Sequence, residues 1–599
     1  MNRPSPSSSN RKKSLTNICI MAIGLLMSRI LGFFRDMNTA AVMGMSGSII
    51  MDAFVLAFRI PNEVKRLCED GTLQLSFIPV FTPLWIKDRK EATKLFGVTL
   101  IVLSLFLLLI VILGEAFCVL AIWIVDSITN NSESLYRFAL LTFMYLLPFL
   151  LFFPLSMFLT AALQGMERFA FVAFIPMLFN IFWLAALLFI SPFGLYLPFR
   201  IESLHLLFFG FDLCQLNLIH QAVFLSLAIV SGSIFQFVIQ MLYLYWLGIR
   251  VRLADFRIIK DALQIFFFAP RNQKQTLTLF ADFLTQNINN SLIIHNLIKI
   301  VRILFPSVCI LFLIQINVLL ATIIAILFSG EPGTSISWLR LFPGLKDWLT
   351  YPMTVGATSA LYFSERLYEF PLGMIGVTVG TVFYPLINKH ARLKNHKELA
   401  SDIQWAVRLV LAMSIPATVG LIFLAEPLSR LLYEHGEFSA DDALRTSHII
   451  SCFALGICAF CLIPIMIRCY FVVRDYRTPI FISFRNIIFF LFLAMFLIWP
   501  QAEKGLAISF SLAAWLQVLE LFWIFYRKHE TIKLFPIFKT IMKSGIATIL
   551  MGEILWLIFQ GYTEIDTMTD LKRIGCGLFV GIIIFGLAYF LLENKIQKE

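Results

Sequence analysis

Ser28-Arg-Ile-Leu-Gly-Phe-Phe-Arg-Asp36 lies inside the first long apolar run of this 599-residue chain and sets two arginines, Arg29 and Arg35, where a bilayer makes charge expensive. Beyond it, runs of about 20 apolar residues recur to the end of the chain, the length a helix needs to cross a hydrocarbon core roughly 30 Å thick. The composition, 59% hydrophobic, 15% aromatic and only 14% charged, excludes a soluble globular protein. The ten-residue alternation of a membrane barrel is missing, so the runs read as helices, and the fold class is all-α integral membrane.

Hydropathy predicts fourteen spans, at 15–34, 48–64, 96–125, 136–163, 170–192, 220–248, 303–328, 356–386, 405–424, 448–472, 478–500, 505–526, 538–560 and 572–592. With the N-terminus inside, about 32 lysines and arginines fall in inner segments and about nine in outer ones, so the charge bias predicts both termini in the cytoplasm and explains most of the +11 net charge without nucleic acid. Residues 1–14, Ser/Pro-rich and basic, read as a disordered tail rather than a signal peptide. The long connections 193–219, 249–302 and 329–355 read as insertions between spans.

Metal, redox and ATP chemistry find little support. Cys458-Ala-Phe-Cys461 has redox spacing but lies in an apolar helix without a second pair, and reads as packing. The histidines are scattered, no phosphate-binding Gly-x-x-x-x-Gly-Lys-Ser/Thr loop occurs, and no cofactor is expected.

The informative residues are polar ones within spans. Asp52, Arg59 and Arg66 recur every seven residues, with Asn62 three after Arg59, and at about 100° per residue they form one stripe that should face protein or water. Lys65 and Arg66 also suit cations snorkelling from a helix end. Arg29, Gly32 and Asp36 share a face, whereas Arg35 lies about 240° from Arg29 on an ideal helix, so both reach one cavity only if the helix bends, with Gly32 the expected hinge. The competing reading makes Arg35-Asp36 an end-capping ion pair. Glu365, Arg366 and Glu369 open the eighth span, with Glu369 placed to hold Arg366, an arrangement that also suits a structural ion pair. A cavity holding several arginines suits phosphate oxygens, which guanidinium groups bind bidentately, and a diphosphate-linked lipid fits best.

Ser28–Asp36, Met51-Asp-Ala-Phe-Val-Leu-Ala-Phe-Arg-Ile-Pro-Asn62, Glu69-Asp-Gly-Thr-Leu-Gln-Leu-Ser-Phe-Ile-Pro79 and Glu365-Arg-Leu-Tyr-Glu-Phe-Pro371 resemble the signatures of the MurJ (MviN) family. Leu432-Tyr-Glu-His-Gly-Glu-Phe438 and Tyr470-Phe-Val-Val-Arg-Asp-Tyr-Arg-Thr-Pro479 extend the resemblance along nearly the whole chain. That family comprises lipid II flippases of bacterial peptidoglycan synthesis within the multidrug/oligosaccharidyl-lipid/polysaccharide exporter superfamily. The resemblance implies two pseudo-symmetric six-helix lobes in a V shape, 15–248 and 303–526, joined by the cytoplasmic connection 249–302, with 527–599 supplying two C-terminal helices that form a groove for the lipid tail. It implies transport rather than catalysis, with lipid II as substrate in the bacterial cytoplasmic membrane, and it leaves contact with cell-wall synthesis or division machinery open.

Carried over residue by residue, the resemblance assigns Arg29, Arg35 and Arg366 to the diphosphate, with Lys65, Arg66, Asn62 and Asn180 as further substrate-binding positions. Asp36, Asp52, Glu365 and Glu369 would orient the arginines or gate the lobes. Lys65 stands where arginine is common, and Glu365 where aspartate is frequent. An exporter of another polyprenyl-linked glycan or of drugs is the alternative, though drug exporters usually stop at twelve helices. An integral-membrane glycosyltransferase would call for a carboxylate or histidine cluster in an outer loop, which the sequence does not offer.

Overall fold

The computed structural model describes residues 8–45, 49–69, 72–129, 135–190, 218–249, 288–331, 333–336, 350–393, 395–473, 475–528, 533–560 and 567–597. These are helical apart from turns and two isolated backbone bridges, Ser329 with Met353 and Ser335 with Thr350. Most of 193–219 and of 249–302, the centre of 329–355 and the first seven residues of the expected tail lie outside the described residues.

In chain order the helices are α1 Ser8–Met43, α2 Ile49–Glu69, α3 Thr72–Lys87, α4 Arg89–Thr129, α5 Leu135–Leu146, α6 Phe149–Gly165, α7 Phe169–Ile190, α8 Leu218–Trp246 and α9 Ile288–Leu327. They continue with α10 Ala357–Pro371, a π-helical turn Leu372–Val377, α11 Thr378–Arg392, α12 His396–Tyr433, α13 Ala440–Ala454, α14 Ile457–Val472, α15 Arg477–Lys528, α16 Leu534–Gln560 and α17 Thr567–Gln597. Each expected span falls on helix. Among the described residues, eight segments are long and apolar enough to cross a membrane, and α13 with α14 pass together as a pair bent by 48°. α1, α2 and α10, which carry the candidate cations, are not among them.

The structure departs from the sequence reading at several joints. α1 begins at Ser8, so part of the expected tail is helical. The connection after the second span holds a helix of its own, α3, whose Phe77, Val80 and Phe81 are buried. The fourth span is divided into α5 and α6 at Leu147-Pro148, and the tenth bends at Leu455-Gly456. Bending frees carbonyls in a medium without water, so they need other donors. Ser511 Oγ donates to the Cys452 carbonyl at 2.9 Å, and Trp515 Nε1 donates to the Leu455 carbonyl at 2.9 Å. α15 contains the turn expected between 500 and 505, made at Ala502 with φ 50° and ψ −134°. There a Cβ on Gly505 would stand 2.2 Å from the Leu497 carbonyl oxygen, so only glycine permits the return.

Two compact units emerge, one drawn from 1–38, 57–197 and 202–311, the other chiefly from 39–56 and 312–599. In the first, α6 is buried along almost its whole length and packs on α3, α4 and α8. Ser156 Oγ donates to Gln240 Oε1 at 2.9 Å and Gln240 Nε2 to Thr160 Oγ1 at 2.8 Å, a polar tie between α6 and α8 of the kind that fixes helix register in lipid. In the second, α12 is the central helix, packing on α13, α14, α16 and α17. The Leu432–Phe438 motif is structural here: Tyr433 donates from its hydroxyl to the Phe363 carbonyl at 3.2 Å, and the rings of Phe363, Tyr433 and Phe438 cluster. The next helix, α13, opens with a capping box in which Ser439 Oγ accepts from Asp442 N–H at 3.2 Å and Asp442 Oδ2 accepts from Ser439 N–H at 3.1 Å.

Candidate substrate-binding and gating residues

Arg35 is not an open cation. It is 6% exposed, donates to Asp36 Oδ1 from Nε at 2.9 Å and from Nη2 at 2.6 Å, and donates from Nη1 to Asn180 Oδ1 at 2.9 Å. Its guanidinium carbon lies 4.6 Å from the centroid of the Trp183 ring and 5.8 Å from that of Phe179. Both aromatics come from α7, one turn apart, with Asn180 between them, so α7 supplies a π surface and an amide acceptor to one guanidinium. The other end of the amide is also engaged, Nδ2 donating to the Ser28 carbonyl at 3.0 Å. Asn180 thus ties α7 to α1 at two points.

Arg29, six residues earlier on α1, is exposed and makes no hydrogen bond or ion pair with any described residue. α1 passes through Gly32 as uninterrupted α-helix, with the Asn180 side chain 3.7 Å from where a Gly32 Cβ would stand. The spacing expected from the sequence therefore separates the two arginines by environment, one held against α7 and the other open.

The stripe on α2 is real and crowded. Arg59 is 2% exposed with Nε 3.8 Å from Glu63 Oε1, and Arg66 Nη1 lies 3.5 Å from Glu63 Oε2, so one carboxylate serves two cations. Asn62 is buried beside them. Lys65 is half-buried, pairs with Glu69 at 3.1 Å, and sits 5.6 Å from the centroid of the Phe179 ring. Sequence reasoning placed Arg59 on this stripe but missed Glu63, and it missed the aromatic pair on α7, whose only signal was Asn180 interrupting an apolar run.

In the second unit Asp52, 1% exposed, acts as a helix cap supplied from a distant part of the chain. Oδ2 accepts from the Gly356 N–H at 2.8 Å, and Oδ1 accepts from the Ser359 N–H at 2.9 Å and from Ser359 Oγ at 2.6 Å. These are donors at the start of α10, where a carboxylate also meets the positive end of the helix dipole. Gly356 has φ +91°, and a Cβ there would stand 2.9 Å from the Met45 carbonyl oxygen, so the turn entering α10 requires glycine. Arg445 holds the same turn, donating from Nη1 to the Val355 carbonyl at 3.0 Å and from Nη2 to that of Thr354 at 3.2 Å, while Nε binds Glu503 at 2.6 Å.

Two turns along α10, Arg366 pairs with Glu369 at 3.2 Å and rests 4.5 Å from the centroid of the Tyr362 ring. It is half-buried, and the neighbouring Glu365 is buried. The π-helical turn follows directly, with Thr378 Oγ1 donating to the Gly373 carbonyl five residues back at 3.1 Å. No group of three or more His, Cys, Asp or Glu side chains converges as a metal site among the described residues.

Comparison with known proteins places the chain in a family. A "Probable lipid II flippase MurJ" of Buchnera aphidicola subsp. Acyrthosiphon pisum is 26% identical over 588 residues, covering 98% of this chain and 97% of its own length. Its counterpart in Vibrio cholerae is 25% identical, covering 97% and 95%. Among solved structures, a lipid II flippase MurJ in an inward closed conformation superposes with a TM-score of 0.65 at 20% identity over 96% of this chain and 99% of that one. An inward-facing multidrug resistance transporter of the MATE family shares the fold at a TM-score of 0.56 and 11% identity, over 86% and 98%. The family model described as lipid II flippase MurJ matches residues 39–574, and the chain belongs to that family of bacterial inner-membrane transporters.

Proposed function

We propose that the chain carries lipid II across the bacterial inner membrane by alternating access, with Arg29 and Arg366 as its principal diphosphate-binding cations. The observation that carries this assignment is Arg29, an arginine within the apolar run 15–34 of α1, exposed and without an acidic partner among the described residues. Such a charge is tolerated in a membrane where it faces a wet cavity or a ligand. Arg366 pairs with Glu369 and rests on the Tyr362 ring, contacts that orient a guanidinium suited to phosphate oxygens. Lys65 and Arg66 add positive charge, with Asn62 beside them.

Arg35, Asp36 and Asn180 then serve by fixing α1 against α7. Asp52 is the gating residue in this proposal: releasing α10 from its cap exposes three donors at once, so a conformational change there is all-or-none rather than gradual. Gly32 is the expected point of bending on α1, and Glu365 and Glu369 position Arg366. Charge bias in the connections supports both termini in the cytoplasm. In a flippase-depleted bacterium expressing this chain, Arg29→Ala and Arg366→Ala should each abolish externally labelled lipid II and growth at wild-type membrane abundance. Normal labelling by both variants would remove the assignment.

A further inference from the structure

We propose that the face of α16 around Glu553 is a docking surface for a transmembrane helix of another protein, one that presents a cationic hydrogen-bond donor at the depth of this carboxylate. Met542, Ile546, Ile549, Glu553 and Trp556 are all exposed, and their spacing of four, three, four and three residues is that of a helix-packing seam. Beside the seam lies a groove of about 360 Å³, walled by Val419 and Phe423 of α12 and floored by Thr548 and Gly552. Gly552 brings the two helices close, a Cβ there meeting Val419 Cγ1 at 3.4 Å. Small residues beside a seam are what let an incoming helix approach closely in lipid.

Glu553 decides the occupant. It makes no hydrogen bond or ion pair among the described residues, and it lies seven residues, about 10 Å along the axis, inside the nearer end of α16. Two half-buried helical carboxylates of this unit are paired, Glu520 with Arg485 and Glu426 with Arg430. The exposed face of α17, with Phe579, Ile582, Leu587 and Phe590, is apolar, as contact with lipid tails requires. Acyl chains offer a carboxylate no donor, and an anionic headgroup would repel it. A second copy packed symmetrically through this seam would set Glu553 against Glu553, juxtaposing like charges. A foreign helix with a lysine or arginine satisfies both the seam and the charge.

The test uses the full-length protein, labelled at its N-terminus, in proteoliposomes with a synthetic single-span leucine peptide carrying one lysine at the level of Glu553. Energy transfer should show this peptide binding at least tenfold tighter than the same peptide with leucine in that place. The preference should vanish in Glu553→Leu and fall in Glu553→Gln. Equal binding of the two peptides, or a preference that survives Glu553→Leu, overturns the proposal. So does an Ile549→Cys variant that gains a disulfide-linked dimer over its parent without peptide, which would make the occupant a second copy.

Discussion

Arg35 in the first unit and Arg366 in the second show two ways of keeping an arginine in a membrane. Arg35 is saturated: two bonds to one carboxylate, one to an amide and two aromatic rings at its face account for its charge and shape. Arg366 pairs with Glu369 at 3.2 Å, rests on the Tyr362 ring and is slightly more accessible, its side chain 11% exposed against 7% for Arg35. The first arrangement ties two helices together, and in the proposed function the second orients a guanidinium toward the diphosphate.

The largest effect should come from Arg35→Ala. It leaves Asp36 buried without its cation, a class of change that costs about 3–5 kcal/mol, so unfolding in detergent should shift strongly, and Arg35→Ala/Asp36→Ala should recover part of the loss. If Arg35→Ala instead leaves stability unchanged and stops transport, Arg35 belongs with Arg366 and the contrast fails. Asp52→Ala should follow, losing about 1–3 kcal/mol from the entry to α10, measurable as faster amide exchange at 356–360. Arg366→Lys keeps the charge but loses the planar fork, and should lower lipid II transport by about tenfold without altering stability.

The smallest effect lies in a connection outside the spans, where Asp475 pairs with Lys528 at 2.7 Å and accepts from Thr478. Partial burial pushes its carboxyl up, but the Lys528 and Thr478 bonds outweigh this and hold it below its ordinary value. A lowered folded value means that the contact adds stability above the ordinary carboxylate range and loses it as acid carries the pH down through the lowered value. The stability difference between wild type and Asp475→Asn should therefore shrink between about pH 6 and about pH 3.

Much of the fold was legible because apolar length is a local property: a run such as 96–125 reports α4 without reference to anything else. α3 was not legible, because Pro79 and Pro83 and flanking charges disguise 72–87 as a connection, while the helix exists by burying Phe77 and Phe81 against its neighbours. The bend at Leu455-Gly456 depends on Trp515 and Ser511, far along the chain. In the site, the adjacency of Arg35 and Asp36 was readable and their pairing foreseeable. That Arg29 rather than Arg35 is the open cation was not, because α7 decides it through Asn180 and Trp183. Asp52 was recognisable as anomalous, but its role as a cap needs donors from α10.

That cap also sets a schedule for making the protein. Asp52 and the Gly356 N–H are separated by 304 residues, and at about 5–20 residues per second the ribosome needs roughly 15–60 s to deliver the second after the first. During that interval α2 has entered the membrane with a carboxylate whose permanent donors do not yet exist. Until the eighth span arrives that carboxylate has to be met by water or by a proton, and any delay in translation between residues 52 and 356 prolongs the interval in which the cap of α10 is absent.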